Sequence, residues 1–352
     1  MSSYVQMGGR RLGDDTPCFI AAEIGINHNG DMKIAHQAID AAVDAGADGV
    51  KFQNYVTEDF LSDKSLTYRY ISQGREIVES QYEMFKRCEL SSMQLAELKA
   101  HCDERGVTFF STPTGISSLR DLLELGVSLI KNGSDFLTHL DLIREMARSE
   151  VPTVLSTGMA TVAEIDDAVG AYRSAGGDAL LLLHCTSSYP TPPEDINLRR
   201  VPTLSQLFGL PVGFSDHTEG TVAAAGAVAL GACFVEKHFT LNKHMPGPDH
   251  RFSTDPEEFG FLVRDIRNIE SALGSSIVAP TKAEMMSRHD FRLSCTASRA
   301  MRLGEIVERN SMVFHRPGSG IPPKLSEALV GLTVKRDVPA GHRFSWEDFH
   351  ER

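Results

Sequence analysis

Short apolar runs rich in β-branched and aromatic residues recur along the chain, and longer segments with helical spacing lie between them. The short runs are CFIAAEIG (18–25), GVKFQNY (49–55), VTFFSTP (107–113), SLIKNGS (128–134), PTVLSTG (152–158), ALLLLHC (179–185), PVGFSDH (211–217) and FVEKHFT (234–240). The longer ones include MKIAHQAIDAAVDAG, SSMQLAELKAHCDERG, ISSLRDLLELG, TVAEIDDAVGAYRSAGG and EGTVAAAGAVALGA. Strands alternating with helices predict βα units around a parallel sheet. Eight such strands favour a closed (β/α)8 barrel, the TIM-barrel fold. An open doubly wound sheet fits as well if two of the strands are misread. The longest strand-to-helix connection, 56–90, is expected to form a loop region at an active site.

Within each run the apolar residues come first and the reactive ones last. The run ends carry Glu23, then Lys51 and Gln53, Ser111 and Thr112, and Lys131 and Ser134. They continue with Thr157, His184 and Thr186, then Ser215 with Asp216 and His217, and finally Glu236 and His238. A serine or aspartate capping the next helix explains any one of these positions. It does not explain the whole set, whereas a barrel with its chemistry at the C-terminal face does.

Composition narrows the classes. The chain has 352 residues, 41% hydrophobic and 23% charged, enough for a large core. A net charge of −12 with scattered Lys and Arg argues against a nucleic-acid partner. The N-terminal stretch MSSYVQMGGRRLGDDTP has no apolar signal region, and no apolar run reaches membrane-spanning length. The six cysteines are dispersed without a CxxC, which predicts buried reduced thiols in a cytoplasmic protein.

The run FVEKHFTLNKHMPGPDH (234–250) places His238, His244 and His250 six residues apart, which is neither a helical nor a strand period. His217 and His238 end the last two predicted strands, so they face each other across a barrel mouth. With Glu23, Asp216 and Glu236 nearby, they suit a divalent ion that keeps open positions. His244 and His250 fall in a turn and are peripheral. Lys51 and Lys131, with strand-end hydroxyls, suit a phosphorylated substrate. A Schiff-base lysine is the rival reading.

Serial motifs carry a resemblance over residues 20 to about 320. They are AEIGINHNGD, GADGVKFQ, FFSTP, VLSTGMAT, LLHCTSSYPTPPEDINL, GFSDHTEG, GAVALGACFVEKHFTL, GPDHRFS and RPGSGI. In this order they resemble those of the sialic acid synthases, the phosphoenolpyruvate-dependent nonulosonate synthases. The resemblance implies a (β/α)8 barrel over 1–280, a linker over 281–291 and a small antifreeze-like (SAF, β-clip) domain over 292–352. It implies condensation of phosphoenolpyruvate with an open-chain N-acylated hexosamine, N-acetylmannosamine first. A 2,4-diacetamido-trideoxyhexose, as in legionaminate or pseudaminate synthesis, is the alternative, and a non-catalytic sugar-binding barrel is the remote one.

By the same resemblance His217 and His238 hold Mn2+ or Mg2+, and Glu23 handles protons. Lys51, Lys131, Ser134 and Ser215, with strand-end hydroxyls such as Ser111 and Thr112, surround phosphoenolpyruvate. Tyr189 and Asp249 meet the sugar, and Gln53 and His184 are further substrate-binding residues. Ser187 falls where the family has Asn or Ser. Arg316 would come from the partner in a domain-swapped homodimer. The segments TASRAMRLGEIVERNSMVFHRPGSG and TVKRDVPAGHRFSWEDF are similar to each other, which predicts a small pseudo-symmetric fold. The sequence SRAMRLGE departs from the family, which has Asp-Ile before that glycine turn.

Overall fold

Every one of the eight apolar runs is a strand in the computed structural model, which describes residues 4–7, 9–13 and 16–350. Strands one to eight are Phe19–Gly25, Gly49–Asn54, Thr108–Pro113, Ile130–Asn132, Thr153–Ser156, Leu180–Cys185, Val212–Asp216 and Phe234–His238. All neighbours are parallel, and strand eight pairs with strand one, Glu236 opposite Ala21 and His238 opposite Glu23. That pairing closes the barrel and removes the open-sheet alternative.

Local chemistry sets the starts of several of the intervening helices. Ser91 and Gln94 form a capping box at the start of Ser92–Arg105, and Gly106 ends it in the left-handed region. Thr161 with Glu164 and Asp255 with Glu258 do the same for Val162–Ser174 and Pro256–Leu273.

Strand pleating sorts the side chains into two layers. Outward residues such as Ile20, Phe52, Leu182, Phe214 and Val235 pack against the helices. Inward residues near the N-terminal end, including Phe19, Phe110, Val154, Leu181 and Phe234, fill the barrel. The Phe19 and Phe234 rings stack at 4.9 Å. A Cβ on inward-facing Gly49 would lie 2.6 Å from Phe19 Cζ, so only glycine leaves the ring its place. A hairpin, Tyr4–Met7 with Arg10–Gly13, adds Val5, Met7 and Leu12 to this cluster and closes that end. Polar inward residues are therefore confined to the C-terminal end.

The 56–90 connection is ordered: a short helix (Thr57–Phe60), a hairpin (Thr67–Ser72 with Arg75–Ser80) and a helix (Gln81–Cys88). Tyr55, Phe60 and Phe85 meet edge to face at 5.1–5.6 Å and anchor it.

The chain divides into two units, Met1–Gly274 and Ser275–Arg352. The stretch expected as a linker carries a helix, Glu284–Phe291, within the second unit. That unit has its own core, with Cys295, Met301, Val307, Val334, Phe344 and Phe349. Its two similar segments pair with each other, Met301 against Val338. The same offset relates Gly304 to Gly341 and the turn Arg309–Ser311 to the turn Trp346–Asp348, so the similarity is structural. All six cysteines are buried, and among the described residues none forms a disulfide. Among the described residues no helix is long and apolar enough to cross a membrane.

Candidate active site

At the C-terminal end of the barrel lies a cavity of about 570 Å3. Its floor is a charged cluster built from residues that point inward because they continue the parity of the core below. Lys51 Nζ lies 2.9 Å from Glu23 Oε2, at ion-pair range though not aligned as a hydrogen bond, and 3.8 Å from Glu236 Oε1. Lys51 also donates to Thr112 Oγ1 at 3.2 Å. Lys131 Nζ and Ser215 Oγ each donate to Glu236 Oε1 at 3.1 Å, and Gln53 Nε2 donates to Glu23 Oε1 at 3.2 Å.

This arrangement separates the two carboxylates. Burial pushes the Glu23 carboxyl above its usual range, and Glu236 adds to the rise against Lys51. Burial acts on Glu236 too, but Lys131 and Lys51 outweigh it and hold that carboxyl below its usual range. One carboxyl is suited to carry a proton and the other to stay charged, which is how paired acids acquire different roles. Burial works against the Lys131 cation, yet Glu236, Cys185 and Glu23 raise its pKa above the ordinary value. That is the wrong direction for an amine serving as a Schiff-base nucleophile.

Above this floor the His217 and His238 rings lie 5.3 Å apart. His217 Nδ1 is 2.9 Å from Thr186 O, which can only accept, so Nδ1 carries a proton, and Nε2, 3.5 Å from Ser215 Oγ, is the ring nitrogen left for a metal. His238 Nδ1 is buried without a hydrogen-bond partner, 3.8 Å from Asp249 Oδ2. Burial, with His217 and the lysines, pushes the His238 pKa well below its usual value, so the ring is neutral. Burial and Glu23 raise Asp249 to about 7. The Tyr189 ring lies against His217, tilted by 41° with the centroids 4.2 Å apart. Burial works against the His217 cation, but Cys185, the bond to Thr186 O and Glu236 raise its pKa above the usual value. A divalent ion would replace the proton on His217 Nε2, and with the neutral His238 ring that makes two imidazole ligands for an ion whose remaining ligands are water and substrate. Among the described residues no group of three His, Cys, Asp or Glu is arranged for a metal.

Hydroxyls gather on the far side. Ser134 Oγ accepts from Gly158 N at 3.1 Å. A Cβ on Gly158 would lie 2.3 Å from Ser187 Oγ and 2.6 Å from Ser134 Oγ, so glycine is what lets these groups converge. The Ser187 and Ser156 hydroxyls are buried without partners.

Most of the residues expected at the site line one cavity: Glu23, Lys51, Gln53, Thr112, Lys131, Ser134, Tyr189, Ser215, His217, His238 and Asp249. His184 and Ser111 do not. The pleat turns both outward: His184 Nε2 bonds Ile196 O at 2.6 Å and its ring lies on Phe214, while Ser111 is fully buried behind Thr112. Ser187 sets its buried hydroxyl beside Gly158 and does not line the cavity. Arg316 belongs to the second unit, with its guanidinium 5.1 Å from the Phe291 ring. Glu236, noted above only as a neighbour of the metal, is the hub of the cluster. Cys185, Ser156, Phe60, Tyr68, Met84 and Phe85 also line the cavity. Cys185 and Ser156 lie at the ends of runs buried on both faces, so only the parity seen in the folded barrel singles them out; nothing local would have identified the four from the 56–90 insertion.

His250 is a loop anchor. Its Nδ1 lies 2.6 Å from Thr240 Oγ1 and its Nε2 3.1 Å from Asn29 Nδ2, which fixes the GPDH turn carrying Asp249. Burial pulls His28 and His250 each from 6.5 down to about 4. Between pH 6.5 and pH 4 the unfolded chain takes up protons that the folded chain refuses, so stability falls with pH through that window. Each ring should cost about 2 kcal/mol on going from pH 7 to pH 5. Thermal unfolding should show the loss, and His28→Gln should flatten it; an unchanged pH slope would contradict the neutral buried state.

The NeuB family model matches residues 38–278. The chain is 40% identical to an uncharacterised protein of Methanocaldococcus jannaschii, over 98% of both chains. It is 38% identical to an N,N'-diacetyllegionaminic acid synthase of Legionella pneumophila, over 97% of both. Among solved structures it is similar to an N-acetylneuraminic acid (sialic acid) synthetase of Leptospira borgpetersenii in complex with citrate. That similarity has a TM-score of 0.74 at 33% identity and covers 82% of this chain and 95% of that one.

Proposed function

From the fact that the chain belongs to the NeuB family, we propose that it condenses phosphoenolpyruvate with the open-chain form of an N-acylated amino sugar, releasing phosphate and a nine-carbon 2-keto acid. The observation that carries this reading is the Lys51–Glu236–Lys131 cluster beneath the paired imidazoles of His217 and His238. The cations would hold the phosphate and carboxylate of phosphoenolpyruvate, with Thr112, Ser134 and Ser215 donating to the remaining oxygens. A divalent cation on His217 and His238, Mn2+ or Mg2+, would polarise the aldehyde oxygen as a Lewis acid.

The step balances. The C2–C3 π pair of phosphoenolpyruvate forms the bond to the aldehyde carbon, whose oxygen takes a proton. Glu23, with its raised carboxyl, is the residue suited to give it. Water adds at C2, returning a proton, and the C2–O bond breaks to release phosphate. Tyr189, Gln53 and Asp249 would contact the sugar. Arg316 would reach it from a partner subunit in a homodimer, with 292–352 as the antifreeze-like domain.

N-acetylmannosamine is the first acceptor to test. The outer wall gives specific support to the second reading. Ile26, Phe60, Leu61, Met84 and Phe85 make it apolar, which matches a deoxygenated sugar end carrying a second acylamino group better than a row of hydroxyls. Phosphate release should therefore be measured with N-acetylmannosamine beside 2,4-diacetamido-trideoxyhexoses. A 10-fold or greater preference for the latter in kcat/KM is expected from the apolar wall, at roughly 1–3 kcal/mol for a matched apolar group. No phosphate release with any of these acceptors would refute the synthase reading.

The partner arginine has its own test. His217→Ala and Arg316→Ala chains, each inactive alone, should complement after mixing and refolding. A mixed dimer would hold one intact site and one with both lesions, so activity per mixed dimer should approach half that of a wild-type dimer. Verified mixed dimers without activity would show that Arg316 does not act across a subunit boundary.

A further inference from the structure

Behind the two histidines lies an ion pair that plays no part in the chemistry above. Asp216 and Lys237 are direct neighbours in the register of strands seven and eight. Each immediately precedes one of the histidines in the chain. Their side chains take the parity of Phe214 and Val235, which pack into the layer between strands and helices. Both are 1% exposed. Lys237 Nζ lies 2.9 Å from Asp216 Oδ2 and 2.5 Å from Thr218 O, while Asp216 Oδ1 accepts from Thr218 N at 2.9 Å.

A buried ion pair is a poor way to stabilise an apolar layer. Desolvating two charges offsets most of their attraction, and an apolar pair of similar volume is commonly as stable. What this pair does that an apolar pair cannot is fix geometry. Lys237 reaches across the strand boundary and holds the residues on both sides of His217. It leaves His238 one residue from its own backbone. The ring of His217 is then set by Thr186 O, and its carbonyl by Thr191 N at 2.9 Å.

We infer that Asp216 and Lys237 are positioning residues that set the spacing and aim of His217 and His238 for a divalent cation. This rests on the metal reading proposed above. Positioning groups behind ligands are known to govern affinity, and their loss typically weakens binding 10- to 100-fold.

The test reads metal affinity of the apo chain, not turnover, by titrating Mn2+ with its free-ion electron paramagnetic resonance signal. Wild type should bind one Mn2+ per chain and His217→Ala should not. The double variant Asp216→Leu/Lys237→Met, which keeps the layer filled, should unfold within a few degrees of wild type yet bind Mn2+ about 10- to 100-fold more weakly. Lys237→Met alone, leaving Asp216 buried and unpaired, should lose thermal stability as well as affinity. A folded double variant with wild-type affinity would sink the positioning role while leaving the metal site standing. A double variant that fails to fold would assign the pair to the fold itself and overturn the proposal. Wild type that binds no Mn2+ would remove the metal reading and this inference together.

Discussion

Treatment with a strong chelator is expected to abolish turnover, and Mn2+ or Mg2+ to restore it. His217→Ala and His238→Ala should each lower kcat by roughly 10^3-fold or more, a barrier increase of about 4 kcal/mol. The expectation follows from what the two rings lack: His238 Nδ1 is buried without a partner, and the Nδ1–H of His217 is committed to Thr186 O. His217→Ala gives up the bond to Thr186 O, but that carbonyl still accepts from Ser188 N and Thr191 Oγ1, so both variants should keep the wild-type circular dichroism spectrum and unfold cooperatively. Full activity in protein freed of metal, checked by elemental analysis, would eliminate the assignment.

Lys131→Met should have the second largest effect. Its amine is paired with Glu236, whose carboxylate would then face the anionic substrate with only Lys51 to balance it. Removing a cation about 4 Å from a phosphate forfeits about 4 kcal/mol at an effective dielectric of 20. That predicts a fall of roughly 10^3-fold in kcat/KM for phosphoenolpyruvate, mostly as a raised KM. The acceptor KM should change little. Lys51→Ala should behave similarly, with some loss of kcat because charge shifts as the C–O bond breaks. Borohydride should trap no adduct on either lysine with either substrate; a reducible adduct would move the protein into the Schiff-base class.

The structure separates residues that one-dimensional reading had grouped together. His184 and His217 both end apolar runs, yet one bonds Ile196 O behind the sheet and the other faces the cavity. Ser111 and Thr112 are adjacent, and only Thr112 reaches the site. In each case the deciding fact is strand parity. A run buried on both faces has no alternation of polarity to reveal it, so the sequence could place these residues at the rim without choosing their side.

What the sequence determined alone is the part governed by local order. Eight buried runs separated by helical segments dictate a parallel sheet of βα units and favour its closure, which the pairing of strand eight with strand one decides, and reactive residues at the run ends dictate where its chemistry lies. What tertiary structure alone decided is everything that depends on distant residues meeting. Glu236 became the hub because Lys51 and Lys131, from strands two and four, lean across the barrel to it. The 56–90 insertion became a cavity wall because Tyr55, Phe60 and Phe85 lock its helices together. Asp216 and Lys237, two charges in an apolar layer, found each other only because strands seven and eight pair in that register. Periodicity records which way a residue faces along its own element; it holds no record of what waits on the other side.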